Sequence, residues 1–149
     1  MKVLIDTNVA LDILLNRIEF YSNSVGIFVM AEKKFVTGYI SASAITDIFY
    51  IAQRKLGKKS VKEAIKNMLQ VFYPATVTDD NIYQALDLEL DDFEDSVQYI
   101  VGESLSVDYI VTRNTQDFAF GSIPAVTPEQ FIETITDKDG TIAISDGQV

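Results

Sequence analysis

Residues 1–15 read MKVLIDTNVALDILL, and this stretch decides the fold. The apolar run Val3-Leu4-Ile5 has the character of a buried strand. It breaks on Asp6-Thr7-Asn8, and a helical pattern follows from Asn8 to about Arg17, with Val9, Leu11, Ile13, Leu14 and Leu15 apolar. Asp, Thr and Asn are good helix N-caps, so a structural reading of the acid is available. A second reading is a ligand or metal site, because sites in parallel α/β sheets form beyond the carboxyl ends of strands.

The same alternation continues along the chain. A helix is expected over residues 22–33 and a strand over 36–40. Ser41 or Ser43 then caps a helix to about Lys55, and a Ser60/Glu63 capping box opens another to about Phe72. Pro74 stops that helix, and residues 75–77 are a short strand candidate. Thr78 or Asp79 caps a helix to about Leu88, and Asp91 or Asp92 caps one to about Ser106. YIVT at 109–112 is a buried strand, and Ala125-Val126 is a last short one. Thr127-Pro128-Glu129-Gln130 caps a final helix. Short apolar strands alternating with helices imply an α/β domain with a parallel sheet. The domain is expected over residues 1–133, with 134–149 a tail or a hairpin turned at DKDG.

Composition narrows the chemistry. The 149 residues contain no Cys and no His, which excludes disulfides, thiolate nucleophiles, imidazole bases and histidine-ligated zinc. Carboxylates and amides remain, and these are ligands of hard cations such as Mg²⁺ or Mn²⁺. No apolar run approaches the ~20 residues of a membrane span. The start lacks the basic region of a signal peptide, so the default expectation is a cytoplasmic protein with no membrane partner. The net charge of −10 argues against nucleic-acid binding, but it is unevenly placed. Six of the twelve basic residues lie between Arg54 and Lys66, whereas Asp79 to Asp95 holds eight acids and no base. Either these are two solvated surfaces, or a basic strip adjoins a carboxylate cluster that needs cations.

Several acids stand where a stable fold does not require them. Asp47 interrupts the helical run SASAITDIFYIA, where Asp is unfavourable, so it is expected to bind a metal or to pair with Arg54. Asp91, Asp92, Glu94 and Asp95 crowd one helix start; they suit its dipole but repel one another. Asn114 and Asp117 follow the YIVT strand.

Taken in order, LIDTNV, ISASAITDIFY, DDFEDSVQYIV and DYIVTRNTQDF resemble the PIN domain family of metal-dependent ribonucleases, over Met1 to about Glu133. The resemblance implies a three-layer α/β/α sandwich with strand order 3-2-1-4-5. It implies Asp6, Asp47 and Asp95 as metal-binding acids around Mg²⁺ or Mn²⁺, with Asn8 positioning the metal-bound groups. The fourth acidic position of the family falls on Asn114, a neutral residue; Asp117 either takes its place or holds the loop. Asp92 and Glu94 are further candidates. Many small members are toxins of bacterial toxin–antitoxin pairs (the VapC type), which cleave RNA, pair as homodimers and are blocked by an antitoxin. The implied reaction is hydrolysis of an RNA phosphodiester to a 5′-phosphate and a 3′-hydroxyl, with the lysines at 55, 58, 59 and 62 either guiding the RNA or solvating a helix face.

Three alternatives follow from the same residues. An aspartyl-nucleophile phosphatase needs an Asp two positions after Asp6, where Asn8 stands. A dinucleotide-binding domain needs a glycine-rich first turn, which DTNVAL lacks. A PIN domain weakened at Asn114 would act as a binding or regulatory module. Finally, Val25, Ile27, Phe28, Val29, Ile48, Phe49, Tyr50 and Ile51 exceed one core-facing stripe, which predicts a symmetric homodimer.

Overall fold

The computed structural model describes Met1 to Thr136. Its centre is a fully parallel five-stranded sheet in the order β3-β2-β1-β4-β5, formed by β1 Lys2–Ile5, β2 Thr37–Ser41, β3 Tyr73–Ala75, β4 Tyr109–Val111 and β5 Ala125–Val126. The seven helices among the described residues are α1 Thr7–Leu14, α2 Ile18–Glu32, α3 Ala42–Leu56, α4 Lys58–Met68, α5 Asp79–Leu86, α6 Phe93–Leu105 and α7 Pro128–Ile135. The expected three-layer sandwich and strand order are therefore present.

The layers follow from strand alternation, since successive side chains leave a strand on opposite faces. Val3 and Ile5 of β1 enter one core, with Ile27 of α2, Ile48 of α3, Val61 of α4 and Phe131 of α7. Leu4 points the other way, into a second core with Ile110, Ala85 of α5, and Val97 and Val101 of α6. Strands β1 and β4 are covered on both sides, which is why both read as unbroken apolar runs.

Register positions the site. Leu4 pairs with Ile110 and Ile5 with Val111. Asp6 and Thr112, each one residue further, therefore leave the two strands side by side at the carboxyl edge, and the Asp6 N–H still donates to the Val111 carbonyl at 3.0 Å.

Four local expectations need correction. Helix α1 stops at Leu14, and α2 starts at Ile18 instead of Ser22, because Asn16 takes a positive φ of 49° and turns the chain early. Helix α4 starts at Lys58 behind Gly57, whose φ of 80° makes the corner, so Ser60 and Glu63 lie inside the helix and form no capping box. Strand β3 contains Pro74 instead of following it; an edge strand can spare the N–H that proline lacks. Most of the surplus apolar residues are used within the chain: Ile27 and Ile48 are fully buried, and of the eight only Tyr50 and Ile51 are exposed. The DKDG turn lies outside the described residues.

Candidate metal centre

Asp6 caps α1 and also forms the floor of a polar cluster. Its Oδ1 accepts from the Thr7 N–H at 2.7 Å and from Gln98 Nε2 at 2.9 Å, and its Oδ2 accepts from Thr112 Oγ1 at 2.7 Å. The residue is only 5% exposed. A carboxylate offers about four acceptor sites, so three protein donors leave one free, on Oδ2. The capping and ligand readings of Asp6 are thus compatible: one carboxylate fixes the helix start and still has an acceptor position without a protein donor.

Helix α6 brings the second group of acids. Asp92 caps it, accepting from the Asp95 N–H at 3.0 Å. Glu94 Oε1 accepts from Thr7 Oγ1 at 2.5 Å and from Gln98 Nε2 at 3.4 Å, so Gln98 bridges Glu94 and Asp6. Gln98 is buried, and its Oε1 has no hydrogen-bond partner among the described residues.

The electrostatics show which acids face one another. Burial, and then the charges of Asp92, Asp6, Asp117 and Glu94, push Asp95 from the ordinary 3.8 up to about 7. Glu94 is raised as well, first by burial, against the lowering effect of the Thr7 hydroxyl; Asp47, Asp6 and Asp92 add their repulsion. Acids from four parts of the chain therefore share one field: Asp6 after β1, Asp47 on α3, the α6 group, and Asp117 after β4.

Asp47 is half-buried. Among the described residues it has no ion pair with Arg54; the two salt bridges there are Asp12–Arg17 and Asp12–Arg113. Asp117 lines a cavity of about 270 Å³ with Asp92 and Asp95. Asn114 is exposed and lines a different cavity, beside Arg113. Asn8 Oδ1 accepts from the Arg113 N–H at 3.4 Å, so it tethers the loop that follows β4.

These donors fit a hard cation. They are carboxylate oxygens, one of them on Asp6 with a free lone pair, and their mutual repulsion is relieved by positive charge. Among the described residues, no three acidic side chains form a ready-made metal-binding group.

Sequence reasoning ranked Glu94 low and missed Gln98, Thr112 and Asp12. Gln98 had a readable signal: a lone amide inside the buried run SVQYIV, four residues after Glu94, stands one turn along the same helix face.

The raised Asp95 sets a pH trend. Between its ordinary value and about 7 the folded chain holds a proton that the unfolded chain has lost. The Asp95 contribution to metal-free stability is therefore most favourable at low pH and is lost as pH rises towards 7. Melting scans without divalent cation should show this downward trend above about pH 5, and Asp95→Asn should flatten it; an unchanged slope in the variant would refute the assignment.

The parallel 3-2-1-4-5 sandwich is the fold of two solved structures. VapC20 of Mycobacterium tuberculosis, described as a sarcin–ricin loop cleaving toxin, superposes with a TM-score of 0.64 at 15% identity, over 80% of this chain and 95% of that one. VapBC2 of Rickettsia felis, solved bound to a DNA fragment from its promoter, gives 0.67 at 13% identity, over 85% and 98%. At such identities the likeness is one of fold. The PIN domain family model matches residues 2–116, and the chain belongs to that family. No curated protein matches it. No described helix is long and apolar enough to cross a membrane.

Proposed function

We propose that the protein is a Mg²⁺- or Mn²⁺-dependent endoribonuclease, the toxin of a toxin–antitoxin pair. The observation that carries this reading is the acid cluster beyond β1 and β4, where burial first, and then the repulsion of neighbours that include Asp6, Asp47, Asp92 and Asp117, raise Glu94 and Asp95. Asp6, Asp47 and Asp95 would hold the cation, with Asp117 supplying the charge that Asn114 lacks. When bound, the cation would supply an activated water and neutralise charge on the phosphate. Gln98 and Thr112 fix the Asp6 carboxylate in place. The test is cleavage of RNA that needs Mg²⁺ or Mn²⁺ and stops with chelator.

Asn114 favours a second reading, a weakened PIN domain acting as a regulatory module, because its neutral side chain lines the neighbouring cavity. Calorimetric Mn²⁺ binding without cleavage of any RNA would favour that reading.

The toxin reading also implies an antitoxin partner and a homodimer. The exposed Tyr50 (64%) and Ile51 (45%) on α3 are the expected contact. Light scattering at tens of micromolar should give a dimer mass, and Tyr50→Ser with Ile51→Ser should give a monomer. A wild-type monomer would refute the dimer.

A further inference from the structure

A cavity of about 250 Å³ lies between α2, the loop after β4 and the start of α7. It is separate from the acid cavity, but it begins one residue beyond Thr112, whose hydroxyl holds Asp6. Phe20, Asn23, Ser24, Arg113, Asn114 and Glu129 line it. Ser24 is fully buried, and its hydroxyl has no hydrogen-bond partner among the described residues. A serine in a helix ordinarily returns its hydroxyl to the preceding turn, and a buried orphan normally costs free energy.

The surrounding chemistry selects the kind of ligand. Arg113 lies 4.0 Å from the Phe20 ring centre, and its Nε donates to Asp12 Oδ2 at 2.8 Å. Its two terminal nitrogens make no hydrogen bond among the described residues, so donors remain on a side chain fixed by stacking and by an ion pair. Glu129 offers acceptors only, while Asn23, Asn114 and Ser24 can donate or accept. A phosphate is a poor match. Glu129 would repel it, Pro128 has no N–H, and the Thr127–Gln130 box uses the Thr127 and Gln130 N–H groups of the α7 start. Mixed donors and acceptors with the apolar Phe20 and Pro128 match a planar heterocycle. The volume is below that of a pocket for a drug-sized ligand, which suits a base more than a whole nucleotide.

We propose that this cavity receives an unstacked guanine base of the RNA substrate, close to the scissile phosphate. The proposal rests on the nuclease reading above. Guanine carries the O6 and N7 acceptors that Arg-type donors recognise, and the N1–H and N2–H₂ donors that a carboxylate such as Glu129 accepts. Adenine turns a donor, N6–H₂, towards the arginine position and lacks the donor pair for the carboxylate. Extrusion of single-stranded bases into side-chain pockets is the usual route to sequence-specific RNA recognition. The hydroxyl of Ser24 gains a partner when the base enters.

The test uses the whole chain in EDTA, so that no cation can hold phosphate at the acid cluster and no cleavage occurs. GMP and AMP are titrated against ¹⁵N-labelled protein. GMP should shift the resonances of Asn23, Ser24 and Asn114 and bind about tenfold tighter than AMP, and Glu129→Gln should erase that selectivity. A short oligoribonucleotide with one guanosine should shift the same resonances at lower concentration than GMP, and its adenosine counterpart should not. Equal shifts from GMP and AMP, or no shift at these residues, would overturn the pocket. Binding of GMP but not of the oligonucleotide would overturn its assignment to RNA. Guanine selectivity in a chain that cuts no RNA would keep the pocket and reject the nuclease reading, because the titration contains no cleavage step.

Discussion

Asp6→Asn will reduce Mg²⁺- or Mn²⁺-dependent RNA cleavage at least about a hundredfold, since loss of even an outer partner of a metal site typically costs 10–100-fold. The change keeps the size of the side chain and removes its charge. Its remaining carbonyl can still accept from the Thr7 N–H and cap α1. The amide that replaces Oδ2 meets the Thr112 hydroxyl, which now donates to Asp6 and accepts from the Asn114 N–H at 3.0 Å. That mismatch costs about 1–3 kcal/mol. Relief of repulsion at Asp95 works in the opposite direction, so the variant should fold. Three measurements separate chemistry from collapse. Circular dichroism should match the parent. Calorimetry should show Mn²⁺ binding lost. The Asp95 carboxyl should titrate lower than in the parent, because a neighbouring charge is gone. Asp117→Asn should lose less activity than Asp6→Asn, since Asp117 is exposed and acts on Asp95 as one charge among several. Full activity of the Asp6→Asn protein, or activity of the parent in excess EDTA, would show that cleavage does not arise at this site.

The parts of the fold that were legible in sequence are those governed by local rules. Val3-Leu4-Ile5 and YIVT are strands without polar alternation, so two-sided burial could be read directly from them. The Thr127/Gln130 box and the Ser41 cap formed where their spacing placed them. The misreadings occurred where tertiary packing overrode a local signal. Ser60 and Glu63 have capping-box spacing, but Gly57 supplied a cheaper corner three residues earlier. The apolar excess in α2 and α3 largely serves the chain itself, because both helices meet the same core as β1. At the site, Asp6, Asp47, Asp95 and Asp117 were visible because they stand after a strand, inside a helix or in a crowded helix start, whereas Asp12, alone in the apolar run of α1, was passed over. The neutral supports were not visible: the role of Thr112 depends on the β1–β4 register, which no local pattern specifies. The arginine after β4 was read only as part of a motif, although it anchors the loop.

Arg113→Ala should be the most destabilising single truncation of a charged side chain. Asp12 is completely buried on α1, and its two partners come from different parts of the fold: Arg113 Nε at 2.8 Å and Arg17 Nη1 at 3.3 Å. Removing one partner of a buried pair costs about 3–5 kcal/mol, because the remaining charge stays out of water. Arg17 still reaches Asp12 and is one-third exposed, which places the expected loss at the low end, about 3 kcal/mol. For a chain of this length that is roughly 6–12 °C in Tm. Part of the loss is the contact with Phe20, worth about 0.5–2 kcal/mol. A double-mutant cycle separates the two contributions. In an Asp12→Asn background no buried charge is stranded, so Arg113→Ala should cost only the Phe20 contribution. If it costs as much there as in the parent, the ion pair contributes nothing and the effect is packing alone. The network also has a functional side. It ties α1, the α1–α2 turn and α2 to the residue between Thr112, which holds Asp6, and Asn114, which lines the second cavity. Cutting it should loosen the loop after β4, so RNA cleavage in Arg113→Ala should fall even at temperatures where the chain remains folded, with protection from amide exchange lost first at residues 113–118.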